Sequence, residues 1–342
     1  MPRNASPERV TLARIAEDSG VSLSTISKVL NGRPDVSAST RARIEGMLDA
    51  AGYLRRGTAK SSPTRLIELV FHELEAAWSM EIIRGVEDVA AEHGLSVVLT
   101  QSGDRHSPAP DWVEGVLRRR PVGVVLVFSD LPPDYRAMLR SRLIPFVIID
   151  PAGDPSPDVP SVGSANWSGG LMATRHLIEL GHTRIAAITG PTDMMCSHAR
   201  IDGFRSAMTA AGLEIRPDWI RFGDFHTSGG LEHGRSLLSG PDRPTAIFAG
   251  SDLQALGVME AVRGLGMRVP DDLSLVGYDD IPLARWVSPR LTTIRQPLKR
   301  MAEEATRLVL QMSEAPLDNV PRMDLATSLL VRESTAAPGA GG

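Results

Sequence analysis

The sequence predicts an N-terminal three-helix helix-turn-helix headpiece, followed by a larger α/β body in two lobes, each built on a parallel sheet. Three observations carry this reading. Two short amphipathic stripes flank one glycine within Thr11–Asn31, and a third stripe follows close behind. From Arg65 onward, apolar runs alternate with helical patterns. The charge also changes sign between the two regions: residues 1–60 hold ten Lys/Arg and six Asp/Glu, a net +4, whereas the rest of the 342-residue chain is −8.

Leu12, Ile15 and Ala16 fall at i, i+3 and i+4, the spacing of one helix face. Gly20 is the turn residue after them, since glycine accepts the left-handed conformation of a sharp helix exit. Ser22 is placed to cap a second helix through its side-chain oxygen, with Ile26, Val29 and Leu30 as the buried stripe. Leu23, Ser24, Thr25, Ser27 and Lys28 then point outward. Such a pair is a helix-turn-helix whose second helix fits the major groove of DNA, although an ordinary helical hairpin gives the same pattern. Ser37 precedes a third helix with Ile44, Met47, Leu48 and Ala51 inward, and Gly52 ends it. The basic head suits a polyanion, which it would bind by releasing counterions; a solvated charged face is the alternative.

In the body, strands are expected at Leu66–Phe71, Leu95–Thr100, Val122–Phe128, Pro145–Ile149, Arg184–Thr189, Ala246–Ala249 and Leu273–Tyr278. Helices are expected near Ser79–His93, Asp111–Arg119, Gly169–Leu180, Ile201–Ala211, Ser228–Leu238 and Asp252–Leu265. Strand–helix alternation implies parallel sheets covered on both faces, and the body is too long for one comfortable sheet. The proline-rich Asp150–Val162 is the expected first crossing between lobes. Ligands in such folds sit beyond the carboxyl ends of the strands, here in a cleft between the lobes.

The run TLARIAEDSGVSLSTISKVLNGRPDVSASTRARIEGMLDAAGY resembles the DNA-binding headpiece of the LacI/GalR family of bacterial repressors. The matching elements are T-L-x-x-I-A, G-V-S-x-x-T-I-S-x-V-L-N, V-S-x-x-T-R and A-G-Y, in the family's order and spacing. HLIELGHTRIAAITG, SHARIDGF, PTAIFAGSDLQALGVMEAVRGLGMRVPDDLSLVGYDD and SPRLTTIRQPL extend the resemblance over residues 10–333. It implies a periplasmic-binding-protein-like effector domain and a homodimeric transcription regulator, most simply a repressor of carbohydrate-utilisation genes. Its partners would be operator DNA and a sugar or oligosaccharide effector. Leu23, Ser24 and Lys28 stand at the family's base-reading positions, while Thr11, Ser22, Thr25, Ser27, Asn31 and Thr40 would contact phosphates.

For the effector, the resemblance points to Arg200 of Arg200-Ile201-Asp202-Gly203-Phe204, to Asp279, and to Phe225 as a stacking ring. A guanidinium presents paired donors to vicinal hydroxyls, unless Arg200 is instead ion-paired with Asp202 on the surface. Ser251-Asp252 replaces the family's usual Asn-Asp; Ser251 is a ligand candidate and Asp252 either joins it or caps the next helix. Asp280 is expected to hold the loop. Trp78 enters the cleft or packs in the core, and Ser129 and Asp150 are candidates from their place at strand ends. Trp112, Trp167, Trp219 and Trp286 are assigned to packing or subunit contacts.

The hinge departs from the family pattern Tyr-x-Pro-Asn-x-x-Ala-Arg-x-Leu, which folds on DNA and wedges its leucine into the minor groove. Arg55 and Arg56 replace Pro-Asn, and Ser62 stands in place of the leucine. Gly57 costs a helix about 1 kcal/mol and Pro63 limits its extension. The expectation is a hinge that binds by charge through Arg55, Arg56 and Lys60, with little DNA bending.

The expected divisions are a headpiece at 1–56, a hinge at 57–64, a body at 65–333 and a flexible tail at 334–342. Within the body, lobe 1 takes about 65–160 and 295–322, and lobe 2 about 161–294 and 323–333. The single cysteine, Cys196, leaves no intrachain disulfide. Neither Gly-x-Ser-x-Gly nor a Gly-rich phosphate loop occurs, and the histidines show no metal-ligand spacing, so no enzyme, cofactor or metal site is expected. No apolar run reaches the ~18 residues of a membrane span, and no secretory signal is present, so the expected location is cytoplasmic. A transport-type sugar-binding protein shares the body, but the headpiece and the missing signal argue against it.

Overall fold

The computed structural model describes residues 12–30, 36–50, 65–74, 76–103, 110–127, 131–151, 153, 156–315 and 319–339. The headpiece helices are α1 (Leu12–Ser19), α2 (Leu23–Leu30) and α3 (Ala38–Ala50). Ile15, Ile26, Val29, Val36, Ile44 and Leu48 close one small core, with Leu12, Ala16 and Met47 packed against it. Gly20 takes φ +67° at the turn. Ser22 Oγ accepts from the Thr25 amide at 3.2 Å, and Ser37 Oγ from the Thr40 amide at 3.3 Å, so both expected caps form.

The first half of the body runs β1 (Leu66–Phe71), α4 (Ala76–Glu92), β2 (Ser96–Gln101), α5 (Pro110–Arg119), β3 (Gly123–Val127), α6 (Pro133–Ser141), β4 (Phe146–Ile149) and β5 (Ser161–Ser164). The second runs α7 (Asn166–Glu179), β6 (Ile185–Thr189), α8 (Met195–Ala210), β7 (Ile220–Phe222), α9 (Thr227–Leu238), β8 (Ala246–Ala249), α10 (Asp252–Gly264), β9 (Ser274–Asp279) and β10 (Thr292–Arg295). The chain then adds α11 (Leu298–Glu314), β11 (Arg322–Leu325) and β12 (Ser328–Leu330). Two six-stranded sheets result, ordered β11-β5-β4-β3-β1-β2 and β12-β10-β9-β8-β6-β7. Every pair in the first is parallel, and only β12 runs against its neighbour in the second.

Period-two alternation sorts each strand onto two cores. Ile67, Leu69, Phe71, Val125, Val127, Val147 and Ile149 pack with α4 and α11. Val70, Val124, Leu126, Phe146 and Ile148 face α5 and α6. Glu68 has the parity of the second set and is fully buried. Arg119 of α5 meets it there in an ion pair, with Nε at 3.0 Å from Glu68 Oε2, and Thr100 Oγ1 also donates to it.

Three expectations are corrected. Asp150–Val162 is not the crossing: β5 pairs with β4 and β11 in the first sheet, so the chain first crosses between Ser164 and Asn166. The reading failed because Ser161-Val162-Gly163-Ser164 has no apolar alternation to mark a strand. By the same pairings residues 161–164 and 323–325 belong with the first sheet and not with lobe 2. Residues 334–339 are not a loose tail. Ser334 is fully buried; its carbonyl accepts from Leu275 N at 2.8 Å, its hydroxyl accepts from Thr292 N at 2.8 Å and donates to Leu275 O at 2.6 Å. His182 Nε2 donates to Ala336 O at 2.9 Å. The segment supplies partners that the starts of β9 and β10 would otherwise lack, which polar and glycine-rich composition does not reveal.

Candidate functional site

The site lies where the strand ends of both sheets meet the crossing segments. Asp150 follows β4, Asp279 ends β9, Ser164 ends β5, Asn166 opens α7 and Gln296 follows β10. Asp150, Phe225, Asp279 and Asp280 all have positive φ (+49°, +67°, +112° and +59°). Aspartate tolerates this region, but for phenylalanine it costs roughly 1–2 kcal/mol, and such strain gathers at functional sites.

Arg200 is central. Helix α8 begins at Met195, earlier than expected, and Arg200 lies within it, only 2% exposed. Gly170 of α7 and Gly203 of α8 let the helix backbones approach: a Cβ at either would lie 2.1 Å from a carbonyl oxygen of the facing helix. Arg200 Nε donates to Asn166 Oδ1 at 2.8 Å and Nη1 donates to Gly250 O. The guanidinium stands 3.8 Å from the Tyr278 ring centroid and 5.3 Å from that of Phe225. Asp202 pairs with Arg205 instead, so Arg200 is no surface ion pair.

Around it runs a chain of hydrogen bonds from one sheet to the other. Asn166 Nδ2 donates to Ser164 O at 3.2 Å and to Asp150 Oδ1 at 3.5 Å. Ser164 Oγ donates to Gln296 Oε1 at 2.7 Å, and Gln296 Nε2 to Asp279 Oδ1 at 2.6 Å. Burial pushes Asp150 up to about 6, against the pull of Arg200 and Asn166, and pushes Asp279 up to about 7 against Arg200 and Gln296. Asp150 Oδ2 is buried with no hydrogen-bond partner among the described residues. A buried acceptor left open in this way costs stability unless something donates to it.

The other candidates separate into distinct places. Ser251 caps α10, accepting from Gln254 N at 3.0 Å, and its one hydroxyl proton goes to Phe225 O at 2.8 Å. It therefore holds the Phe225 loop and has no proton left to give a ligand. Asp252 does not cap the helix: Oδ2 accepts from Ile281 N at 2.9 Å and Oδ1 from Thr293 Oγ1 at 2.5 Å. Asp280 holds the loop as expected. Burial raises it, but hydrogen bonds from Arg332, Arg295 and Arg285 keep its carboxyl below the usual range. Trp78 is half-buried and packs against the core of the first sheet. Ser129 lies outside the described residues. His198 is exposed, with Nε2 2.5 Å from Thr192 O. Ser164 and Asn166 were not anticipated because the first crossing was misplaced; Tyr278, inside the expected strand Leu273–Tyr278, and Gln296, just past the crossing expected at 294/295, were not singled out.

In the headpiece, Ser22, Leu23, Ser24, Ser27 and Lys28 form the outward face of the turn and α2, with Leu23 53% exposed. Thr25 and Thr40 are half-buried. Ser22 Oγ is 2.7 Å from Ser24 Oγ and 2.9 Å from Thr25 Oγ1, so these hydroxyls satisfy one another without DNA. Thr11, Asn31, Arg55, Arg56 and the hinge lie outside the described residues. No helix among those described is long and apolar enough to cross a membrane.

The raised Asp150 has a measurable consequence. A carboxyl whose folded pKa lies above its unfolded value of 3.8 lends stability below that value and loses it as pH rises through about 6. Asp150→Asn is therefore expected to stabilise the unliganded protein at pH 8 by about 1–3 kcal/mol. The gain should shrink as pH falls from 6 to 4, as urea titrations across that range would show.

Comparison with known proteins gives a consistent picture. Residues 11–55 match the family described as "Bacterial regulatory proteins, lacI family", and residues 174–335 match "Periplasmic binding protein-like domain". The ribose operon repressor of Escherichia coli (strain K12) is 34% identical over 329 residues, covering 95% of this chain and 99% of the relative. Among solved structures, a transcriptional regulator CelR–cellobiose complex superposes with TM-score 0.70 at 34% identity, over 95% of this chain and all of that one. The lac repressor dimer bound to operator and the anti-inducer ONPF gives TM-score 0.71 at 28% identity, over 96% of this chain.

Proposed function

The chain belongs to the LacI family of bacterial DNA-binding transcriptional repressors, and we propose that a neutral sugar or short oligosaccharide is the effector that enters its interlobe cleft. The observation that carries this is the buried Asp150–Asn166–Arg200 and Asp279–Gln296 network, with Asp150 Oδ2 open. Carboxylates accept from vicinal hydroxyls, the Arg200 fork donates to them, and the Phe225 ring offers an apolar face to a sugar's CH surface. The relatives support the choice, since one was solved with cellobiose and another is named for the ribose operon.

The network sits on the segments that join the sheets, so a ligand that draws the lobes together strains or relieves those crossings. It shifts DNA affinity only as far as it binds two conformations unequally, and operator must shift effector affinity by the same factor. A homodimer would set two headpieces in successive major grooves. Trp286, 84% exposed beside the half-exposed Leu283, is a large apolar surface that a second subunit would cover.

A thermal-shift screen of mono- and oligosaccharides tests the reading, followed by DNA binding with the best hit. A sugar that raises the melting temperature and changes operator affinity is expected; purines or amino acids doing so while sugars do not would overturn it. On the DNA side, Lys28→Ala is expected to cost about 1–3 kcal/mol and relax preference at one operator position, as selection from a random duplex library would reveal. Uniform weakening across sequences would instead make Lys28 a phosphate contact.

A further inference from the structure

We propose that the edge of the first sheet from which the chain leaves for the headpiece is a second DNA-contacting surface, holding duplex phosphates outside the groove read by α2. All six strands of that sheet are parallel, so their N-terminal ends share one edge. The chain arrives at this edge at Arg65, immediately before β1. The segment 51–64 spans at most about 50 Å even fully extended, which keeps the edge within reach of any duplex the headpiece binds.

The helix ends and loops that lead into the strands make the edge basic, Arg118 lying in the last turn of α5. Arg65 precedes β1, Arg118 precedes β3 and Arg142 precedes β4, and these three strands are neighbours in the sheet. At about 4.8 Å per strand their starts extend over roughly 10 Å, enough to meet more than one phosphate. Two other arginines nearby are already neutralised, Arg119 by Glu68 and Arg140 by Asp158. Arg65, Arg118 and Arg142 are exposed and have no carboxylate within ion-pair distance among the described residues. Arg65 Nε donates to Gly94 O at 2.9 Å, which fixes the guanidinium at the edge without discharging it. Pro121, Pro145, Pro160 and Pro321 precede four of the strands and stiffen the rim.

The corresponding edge of the second sheet carries no tether; it pairs Arg216, Arg268 and Arg290 with carboxylates and leaves Arg184 before β6 and Arg243 before β8 without an ion pair among the described residues. Arg216 lies between Asp218 and Asp242, and Arg268 faces Asp271 at 3.4 Å. On a body that is −8 overall, the first edge sets three exposed cations without ion pairs among the described residues, Arg65, Arg118 and Arg142, at the rim from which the chain runs to the DNA-binding unit. Polyanionic backbone is the partner this chemistry fits, and such contacts position the protein without reading sequence.

The test uses the full-length protein and a 40-base-pair duplex bearing an operator recovered from a random library. Fluorescence anisotropy is followed across a salt series. Arg118→Glu with Arg142→Glu is expected to lose about tenfold or more in affinity at low salt, and to lower the salt slope by about two per subunit, about four for a homodimer. The base preferences of the selected site should not change. A charge-matched double variant on the second lobe, Arg205→Glu with Arg263→Glu, should lose less than about threefold, and Arg118→Lys with Arg142→Lys should keep wild-type affinity. Equal losses in the two charge-reversed proteins would mean long-range repulsion and overturn the proposal, as would an unchanged salt slope in the edge variant.

Discussion

Arg119→Met is expected to destabilise the protein by about 2–4 kcal/mol in urea unfolding, the largest loss for any single change outside the apolar core. Glu68 sits in the middle of β1 with no exposure, and Arg119 is the cation that faces it. Taking the guanidinium away leaves a buried carboxylate held by Thr100 alone among its side-chain partners. The figure is set below the usual cost of breaking a buried pair because the Arg119 side chain is 34% exposed and part of its attraction is screened. The double variant Glu68→Met with Arg119→Met is the informative companion. A pair replaced by apolar side chains of similar volume is often neutral or better, so most of the loss should return. A double variant as unstable as the single one would show that the pair also shapes the backbone. Effector and operator binding should be intact in the folded fraction of both.

Arg200→Ala is expected to reduce effector affinity roughly tenfold to a hundredfold by calorimetry, while operator binding without effector stays near wild type. A hydrogen bond from a charged donor is worth about 1.5–3 kcal/mol, and each 1.4 kcal/mol is tenfold. Arg200 also offsets the burial of Asp150 and Asp279, so its loss should raise both carboxyls further. The variant should therefore bind best at higher pH than wild type. Arg200→Lys separates charge from shape: lysine restores the cation but not the planar fork, so stability should recover more than affinity. Asp279→Asn, which suits φ +112° better than alanine does, should weaken binding comparably while leaving Gln296 a carbonyl to donate to. Unchanged affinity in both Arg200→Ala and Asp279→Asn would place the effector elsewhere.

Much of this was legible in the chain. The headpiece needed only local signals: a 3.6-residue stripe, Ser22 and Ser37 at the caps, and Gly20 at the turn. Strands such as Leu66–Phe71 and Ala246–Ala249 were found at their exact bounds, because a strand buried on both faces reads as an unbroken apolar run. Arg200, Asp279 and Phe225 were named from the family's motifs, and the fold does bring them together.

What the sequence alone determined is therefore whatever depends on nearest neighbours and on burial of single elements: the helix-turn-helix, the parallel strand–helix order and the charge division between head and body. Only the tertiary structure decided where the chain crosses between sheets, because β5, β11 and β12 are short and owe their pairing to partners far along the chain. For the same reason it alone placed Asn166 and Gln296 against Asp150 and Asp279, and docked Ser334 on β9. Those contacts join residues 16 to 59 positions apart, and the Ser164–Gln296 bond beside them joins residues 132 apart. Their free energy comes from hydrogen bonds that offset the cost of burying the polar groups in a low-dielectric interior, and no local periodicity records it.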